Sequence, residues 1–241
     1  MVREMIDEDK PLAYVLGTQP FHPLPVDLLV RPPTLIPRPE TEHWVSLLID
    51  QILAARDEPS RTARPYRILD IGTGTGCIAL ALTHGLLRTC EGREKGSFSA
   101  LQQLQGLQPS RSSIDTSHPI KFDLVVSNPP YIPLHEYAHL DRSVREWEDR
   151  GALVGESTTQ PSKEDDGLVF YRRIVSLLDG LLAQGGQGEE PVVAFEVGKG
   201  QARNVEGMLL EWQSGKGEKL EVEIVEDPWG IERAVFASWK R

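Results

Sequence analysis

The sequence predicts an α/β fold built on a doubly wound, mostly parallel sheet, and three observations carry that prediction. Short apolar runs alternate with amphipathic stretches at helical spacing from Tyr66 to the C-terminal region. A glycine-rich turn in "LDIGTGTGCIAL" joins the first of these strands to a helix. A second strand, "FDLVVS", runs straight into "NPPY", at the carboxyl end where open sheets of this class keep their sites.

From Pro11 to Glu42 the chain is proline-rich with the short apolar runs "PLAYVLGTQPF" and "VDLLV", which predicts a hairpin or extended arm. Thr41 to Ala55 sets Trp44, Val45, Leu47, Leu48, Ile52 and Leu53 on one helical face behind a Thr-type cap. "YRILDI" is then a buried strand and "GCIALALTHGLL" a helix. Thr89 to Pro119 is polar and reads as a loop, as does Gly155 to Gly167. After "FDLVVS", the helix "FYRRIVSLLDGLLA", the strand "PVVAFEV" and the helix "QARNVEGMLLEWQ" keep the alternation going. "LEVEIVED" and "AVFASW" close the chain as an antiparallel pair about the turn "DPWG". The division this predicts is an arm over residues 1–45 and a main domain over 46–241, with no internal repeat.

A length of 241 residues suffices for one main domain with a full core. No apolar run approaches a membrane span, so a soluble chain without a membrane partner is expected, and the acidic opening "MVREMIDEDKPL" is neither a signal nor a transit peptide. The two cysteines, Cys77 and Cys90, have no His/Cys cluster at metal spacing, which excludes a disulfide scaffold or zinc site and fits a reducing compartment. A net charge of -10 argues against a nucleic-acid partner, whose phosphates call for clustered Lys and Arg. A small ligand or a basic protein is easier to accommodate.

Gly72, Gly74 and Gly76 lie between strand and helix, where small residues let backbone approach a ligand. Their spacing is not that of a dinucleotide fingerprint, and no Lys-Ser/Thr comes after them, so a P-loop is excluded. A nucleotide-like ligand without a pyrophosphate remains, with Asp70 placed to face its amino group; the alternative is a glycine-rich turn without ligand. In "NPPY", Pro129 and Pro130 offer carbonyl acceptors with no competing N–H and hold φ near one value. The Asn128 oxygen and a proline carbonyl can take both hydrogens of a planar NH2 group while the Tyr131 ring packs on its face. Such a site suits an amide or an aromatic amine and turns its nitrogen toward an electrophile. Standing alone, "NPPY" would be no more than a turn that stops a strand.

Together "PLAYVLGTQPF", "LIPRPETE", "LDIGTGTGCIALAL", "FDLVVSNPPYIP", "VREWEDRGALVG", "DGLVFYRRI", "FEVGKGQA" and "DPWGIERAVFA" resemble the HemK/PrmC family of S-adenosylmethionine-dependent glutamine methyltransferases, and they cover most of the chain. "NPPY" is shared with methyltransferases of adenine and cytosine amino groups, whereas "PRPETE" and "EDRGAL" separate this family from those. The resemblance implies a sheet of the class I S-adenosylmethionine methyltransferase type. It implies methyl transfer to the Gln of a Gly-Gly-Gln motif in a class I peptide release factor, by a monomer and without a metal. It further implies that Asn128 and Pro129 bind the substrate amide with Tyr131 beside it, and that Asp70, Gly72, Thr73, Gly74 and Gly76 line the cofactor. It implies as well that Phe21 and the arm from Pro37 to Glu42, Thr41 included, close over that cofactor. Arg38, Glu40 and Glu42 otherwise read as solvated charges; Glu196 and Asp227 follow strands and are assigned no role, since strand-end carboxylates commonly cap nearby N–H groups.

The resemblance also exposes a departure. Folds of this type carry an acidic residue for the ribose about 20 residues past the glycine loop, at the end of a second strand. Here that position falls in "RTCEGREKG", where no apolar run precedes Glu91 or Glu94, and "GSFSALQQL" already resembles the segment after the family's third strand. Loss of the second-strand region is therefore expected, leaving the first strand at the sheet edge, and with it a weakened cofactor site or an inactive relic as an alternative. The family's helical N-terminal domain is expected to be absent too. The long polar insertions have a eukaryotic look, which makes a mitochondrial location the expectation, with the cytoplasm second.

Overall fold

The computed structural model describes residues 2–56, 66–91, 120–156, 165–183, 190–212 and 219–240. The chain opens with α1 (Val2–Asp7) and α2 (Leu12–Leu16), then pairs β1 (Thr18–Gln19) with β2 (Leu28–Leu29) antiparallel before entering the long helix α3 (Pro39–Arg56). β3 (Ile68–Ile71) leads through the glycine loop into α4 (Cys77–Glu91). β4 (Leu124–Ser127) is followed by the short helices α5 (Leu134–Tyr137), α6 (Arg142–Trp147) and α7 (Arg150–Leu153). Next come α8 (Val169–Leu181), β5 (Pro191–Glu196), α9 (Ala202–Glu211), β6 (Leu220–Glu226) and β7 (Glu232–Trp239).

The five main strands lie in the order β3-β4-β5-β7-β6, with β3, β4 and β5 parallel and β7 antiparallel to both of its neighbours. Only β7 runs against the rest, as a closing hairpin requires. Period-two alternation assigns side chains to the two faces. Val125, Val193, Phe195 and Val235 meet Tyr171, Ile174 and Leu178 of α8 and Val205 and Leu209 of α9. Leu124, Val126, Ala194 and Phe236 meet Trp44, Leu48 and Ile52 of α3 and Ala81 and Leu82 of α4. Helices thus cover both faces, which is the doubly wound arrangement.

Several expectations need correction. "LAYVL" is a helical turn and not part of the hairpin: Pro11 sets φ at its start, and Gly17 ends it in the left-handed region at φ 77°, its N–H bonded to Ala13. The hairpin itself is confined to β1 and β2. Residues 45 and 46, on either side of the division drawn above, both lie within α3, where Trp44 and Val45 are fully buried. The predicted loop from Thr89 begins later, because α4 continues to Glu91. The expected loss of a second strand concerns residues 92–119, which lie outside the described residues; among those described, β3 is an edge strand and each of its four residues is half-buried.

Leu178 has no exposure, whereas Leu210 is 53% exposed on the neighbouring helix. Chemical denaturation of Leu178→Ala should show a loss of about 2–5 kcal/mol, from lost burial plus the cavity left behind. Leu210→Ala should stay within about 0.5 kcal/mol of the parent chain.

Candidate active site

Parallel register brings the two motif loops together. Asp70 pairs with Val126 and Ile71 with Ser127, and the Ser127 hydroxyl donates to the Ile71 carbonyl at 2.7 Å. Gly72 and Asn128 therefore leave adjacent strands side by side; a Cβ built on Gly72 would stand 3.6 Å from the Asn128 carbonyl oxygen. Gly72, Gly74 and Gly76 have φ of 78°, 52° and 81°, conformations that a side chain would strain. Inside this loop Asp70 Oδ2 accepts from the Thr73 hydroxyl at 2.9 Å and the Ala79 N–H also lowers the carboxylate's pKa, while Oδ1 is buried with no partner within hydrogen-bond distance. Burial raises the Asp70 pKa, against the lowering effect of Thr73. A buried, unpartnered carboxylate oxygen beside a glycine loop fits a ligand that brings its own N–H or O–H donor.

The second loop is anchored by a carboxylate. Glu196, at the end of β5, is 2% exposed. Its Oε2 accepts from the Thr41 hydroxyl at 2.5 Å and from Trp44 Nε1 at 2.8 Å; Oε1 stands 3.4 Å from the Tyr131 hydroxyl. Its carbonyl accepts from the Tyr171 hydroxyl at 2.6 Å. Thr41 and Trp44 are three residues apart on α3 and so share a face, which lets both reach one oxygen. Burial raises the Glu196 pKa, opposed by those two hydrogen bonds and by Arg233. Thr41 in turn accepts from Asn128 Nδ2 at 3.4 Å.

Behind Tyr131 the packing is close to its limit. Gln201 Nε2 donates to the carbonyls of Tyr131 and Asp166, both at 2.9 Å, and its Oε1 accepts from the Gly198 N–H at 3.0 Å. A Cβ on Gly167 would lie 2.0 Å from the Tyr131 carbonyl oxygen. One on Gly155 would lie 2.8 Å from that of Pro130, and one on Gly198 3.0 Å from the Tyr131 ring. Two glycines thus press on the "PPY" backbone and a third, from another segment, on the Tyr131 ring.

The structure brings Thr41, Asp70, Gly72, Thr73, Gly74, Gly76, Asn128, Pro129 and Tyr131 to one end of the sheet. Phe21 is packed inside the core with Leu28, Trp44 and Ile78, at 3% exposure, and the next residue, His22, donates its N–H to Glu42 at 2.8 Å. Arg38 is no solvated charge: its Nη2 reaches both oxygens of the buried Glu148 at 2.7 Å, joining "PRPETE" to "REWED". Burial pushes the Glu148 pKa up, and Arg38 pulls it back. Asp227 does cap, accepting from the N–H groups of Trp229 and Ile231 and pairing with Arg233 at 3.1 Å. Glu196 does not. Its role was missed, although a lone carboxylate inside "VVAFEV" was the available signal; Gln201 and the three glycines gave none, since their partners are distant in sequence.

No protein-family model matches the chain. It is similar to curated proteins described as release factor glutamine methyltransferase. That of Geobacter sulfurreducens is 37% identical over 236 residues, covering 94% of this chain and 72% of its own length. That of Bacillus anthracis is 33% identical over 241 residues (95% and 77%), and that of Haemophilus influenzae 32% over 251 residues (96% and 77%).

Gly167 is at φ 73° with the Tyr131 carbonyl in the way of any side chain, whereas Gly200, at φ 81°, has nothing within 4 Å of its Cβ position. Gly167→Ala should therefore lose roughly 3 kcal/mol or more in denaturant unfolding, from strain plus overpacking. Gly200→Ala should lose about 1–2 kcal/mol, from strain alone.

Proposed function

The chain belongs to the release factor glutamine methyltransferase family, and from that premise we propose that it methylates the side-chain nitrogen of the Gln in a Gly-Gly-Gln motif of a class I peptide release factor, with S-adenosylmethionine as methyl donor. The observation that carries the proposal is the register of β3 and β4, which sets the glycine loop and the "NPPY" loop side by side. A donor site and an amide site on adjacent strand ends make a short transfer path.

The residues present fit the donor. Asp70 Oδ1, buried and unpartnered, would accept from an amino or hydroxyl group of S-adenosylmethionine, and the left-handed glycines let its body approach the backbone. When bound, that donor supplies a methyl group already activated by a positively charged sulfur, so the protein's own work is orientation. Asn128 Oδ1 and the Pro129 carbonyl accept the two amide hydrogens, which fixes the plane of the substrate amide and points its nitrogen at the methyl carbon. Tyr131 limits tilt by packing on the amide face. The nitrogen would gain the methyl carbon as that carbon's bond to sulfur breaks, the electron pair staying on sulfur, and would lose one proton, which leaves to water. Glu196 is not its acceptor, because it is buried and its oxygens already take the Thr41, Trp44 and Tyr131 donors.

A nucleic-acid substrate is not favoured, since a net charge of -10 would oppose a phosphate backbone. A release factor domain with basic character would instead be steered toward this chain.

Mass spectrometry of a release factor incubated with the chain and S-adenosylmethionine should show one added methyl group on the Gly-Gly-Gln glutamine. Asn128→Ala should lower the rate on the order of 100-fold or more, since the side-chain acceptor that fixes the amide plane together with the Pro129 carbonyl is lost. Asp70→Ala should weaken S-adenosylmethionine binding roughly 10- to 100-fold in calorimetry. An unmodified release factor in the presence of a folded, cofactor-binding chain would overturn the substrate assignment.

A further inference from the structure

We propose that Thr41 and Glu196 are positioning residues for the transfer, which together decide which end of the Asn128 side-chain amide faces the substrate. The inference rests on the assignment of Asn128 to the substrate amide, and it comes from counting protons.

An indole N–H can only donate, so Trp44 Nε1, at 2.8 Å, marks Glu196 Oε2 as an acceptor. With Glu196 ionised, the Thr41 hydroxyl, 2.5 Å from the same oxygen, gives its single proton to the carboxylate. With that proton committed, Thr41 Oγ1 can face Asn128 only as an acceptor. An amide side chain meets an acceptor with its NH2 end, so Nδ2 turns to Thr41, at 3.4 Å, and Oδ1 is left facing away from it. Rotating the amide by half a turn would set Oδ1 against Thr41 Oγ1 with no proton between them. The alternative polarity would also present an NH2 group to the substrate NH2, two donors with no acceptor.

The same carboxylate is tied to the other side of the site through the Tyr131 hydroxyl, 3.4 Å from Oε1. Glu196 itself is 2% exposed and reaches the substrate only through these neighbours. It therefore acts by orientation alone.

Two substitutions at Thr41 separate this role from packing. Thr41→Val keeps the side chain's shape and removes its hydroxyl, whereas Thr41→Ser keeps the hydroxyl and loses a methyl group. Packing in a buried position ranks Val above Ser; hydrogen-bond polarity ranks Ser above Val. Steady-state methylation of a Gly-Gly-Gln release factor should show kcat for Thr41→Val reduced on the order of 10- to 100-fold, with KM for S-adenosylmethionine little changed. Thr41→Ser should stay within about threefold of the parent chain. Glu196→Gln should behave as Thr41→Ser does, because it keeps an acceptor oxygen for Trp44 and Thr41. The reverse ranking at Thr41, or a Val variant equal to the parent, overturns the proposal.

A second measurement needs no turnover. In isotope-labelled protein the Asn128 side-chain amide resonance is identified by its loss in Asn128→Ala, and its hydrogen exchange is compared across the variants. Exchange should be slow in the parent and in Thr41→Ser and at least about tenfold faster in Thr41→Val, where the acceptor is gone. Equal exchange in parent and Val overturns the proposed orientation. The slow-exchanging amide in a chain that leaves the release factor unmodified would uphold the orientation while refuting the assigned substrate.

Discussion

A carboxylate with almost no contact with water holds together the end of the sheet that carries the glycine loop and "NPPY". Taking Glu196 out of water costs several kcal/mol, and the cost is offset only if every lone pair is well used. Here Thr41, Trp44 and Tyr131 all point donors at it, and Tyr171 takes the adjacent carbonyl. These four side chains come from α3, the "NPPY" loop and α8, so one residue on β5 joins both helical layers to the site. Because burial raises its pKa, the folded chain holds a proton on Glu196 more tightly than the unfolded chain does. The shift therefore favours the fold at low pH, and ionisation weighs against it as pH rises through the raised value.

The arm is secured by the same kind of arrangement. Glu148 is buried and meets Arg38 at 2.7 Å; around it the Asp149 N–H donates to Pro33, and the Tyr14 hydroxyl donates to Thr34 at 2.7 Å. Tyr14, Ala13, Val30 and Ile36 form a small apolar cluster that Trp147 covers. The arm is too short to bury a core of its own, so its conformation is borrowed from α6 and the turn after it. This ties the position of α3's first turn, and therefore of Thr41, to residues more than a hundred positions away.

Most of the main sheet was legible in the sequence because local patterns encode it. "LDIGTGTG" carries strand and turn in its own composition, and "NPPY" needs a strand end whatever surrounds it. The helix at "LAYVL" was not legible, since five apolar residues between Pro and Gly are consistent with either a strand or a single helical turn. The short helices between Leu134 and Leu153 escaped for a similar reason: each is one or two turns, and none has the length over which periodicity speaks. Asp227 was legible as a cap because its partners lie within six residues. Glu196, Gln201 and the glycines at 155, 167 and 198 have partners set by the tertiary fold, where neither spacing nor propensity reaches.

Those glycines bear on how a methyltransferase of this kind can work at all. Transfer to an amide nitrogen calls for a weak nucleophile held at near-attack distance, so rate depends on how little the gripping atoms move. Pro129 and Pro130 stiffen the loop from within by fixing φ. Gly155, Gly167 and Gly198 stiffen it from outside, because with no side chain they let three backbones close on Pro130 and Tyr131 where a single methyl group would collide. Gln201 adds hydrogen bonds that hold the Tyr131 carbonyl in place. The residues most often taken as marks of flexibility are here what allows a rigid shelf to be assembled, and that rigidity gives the polarity set by Glu196 and Thr41 a fixed point from which to act.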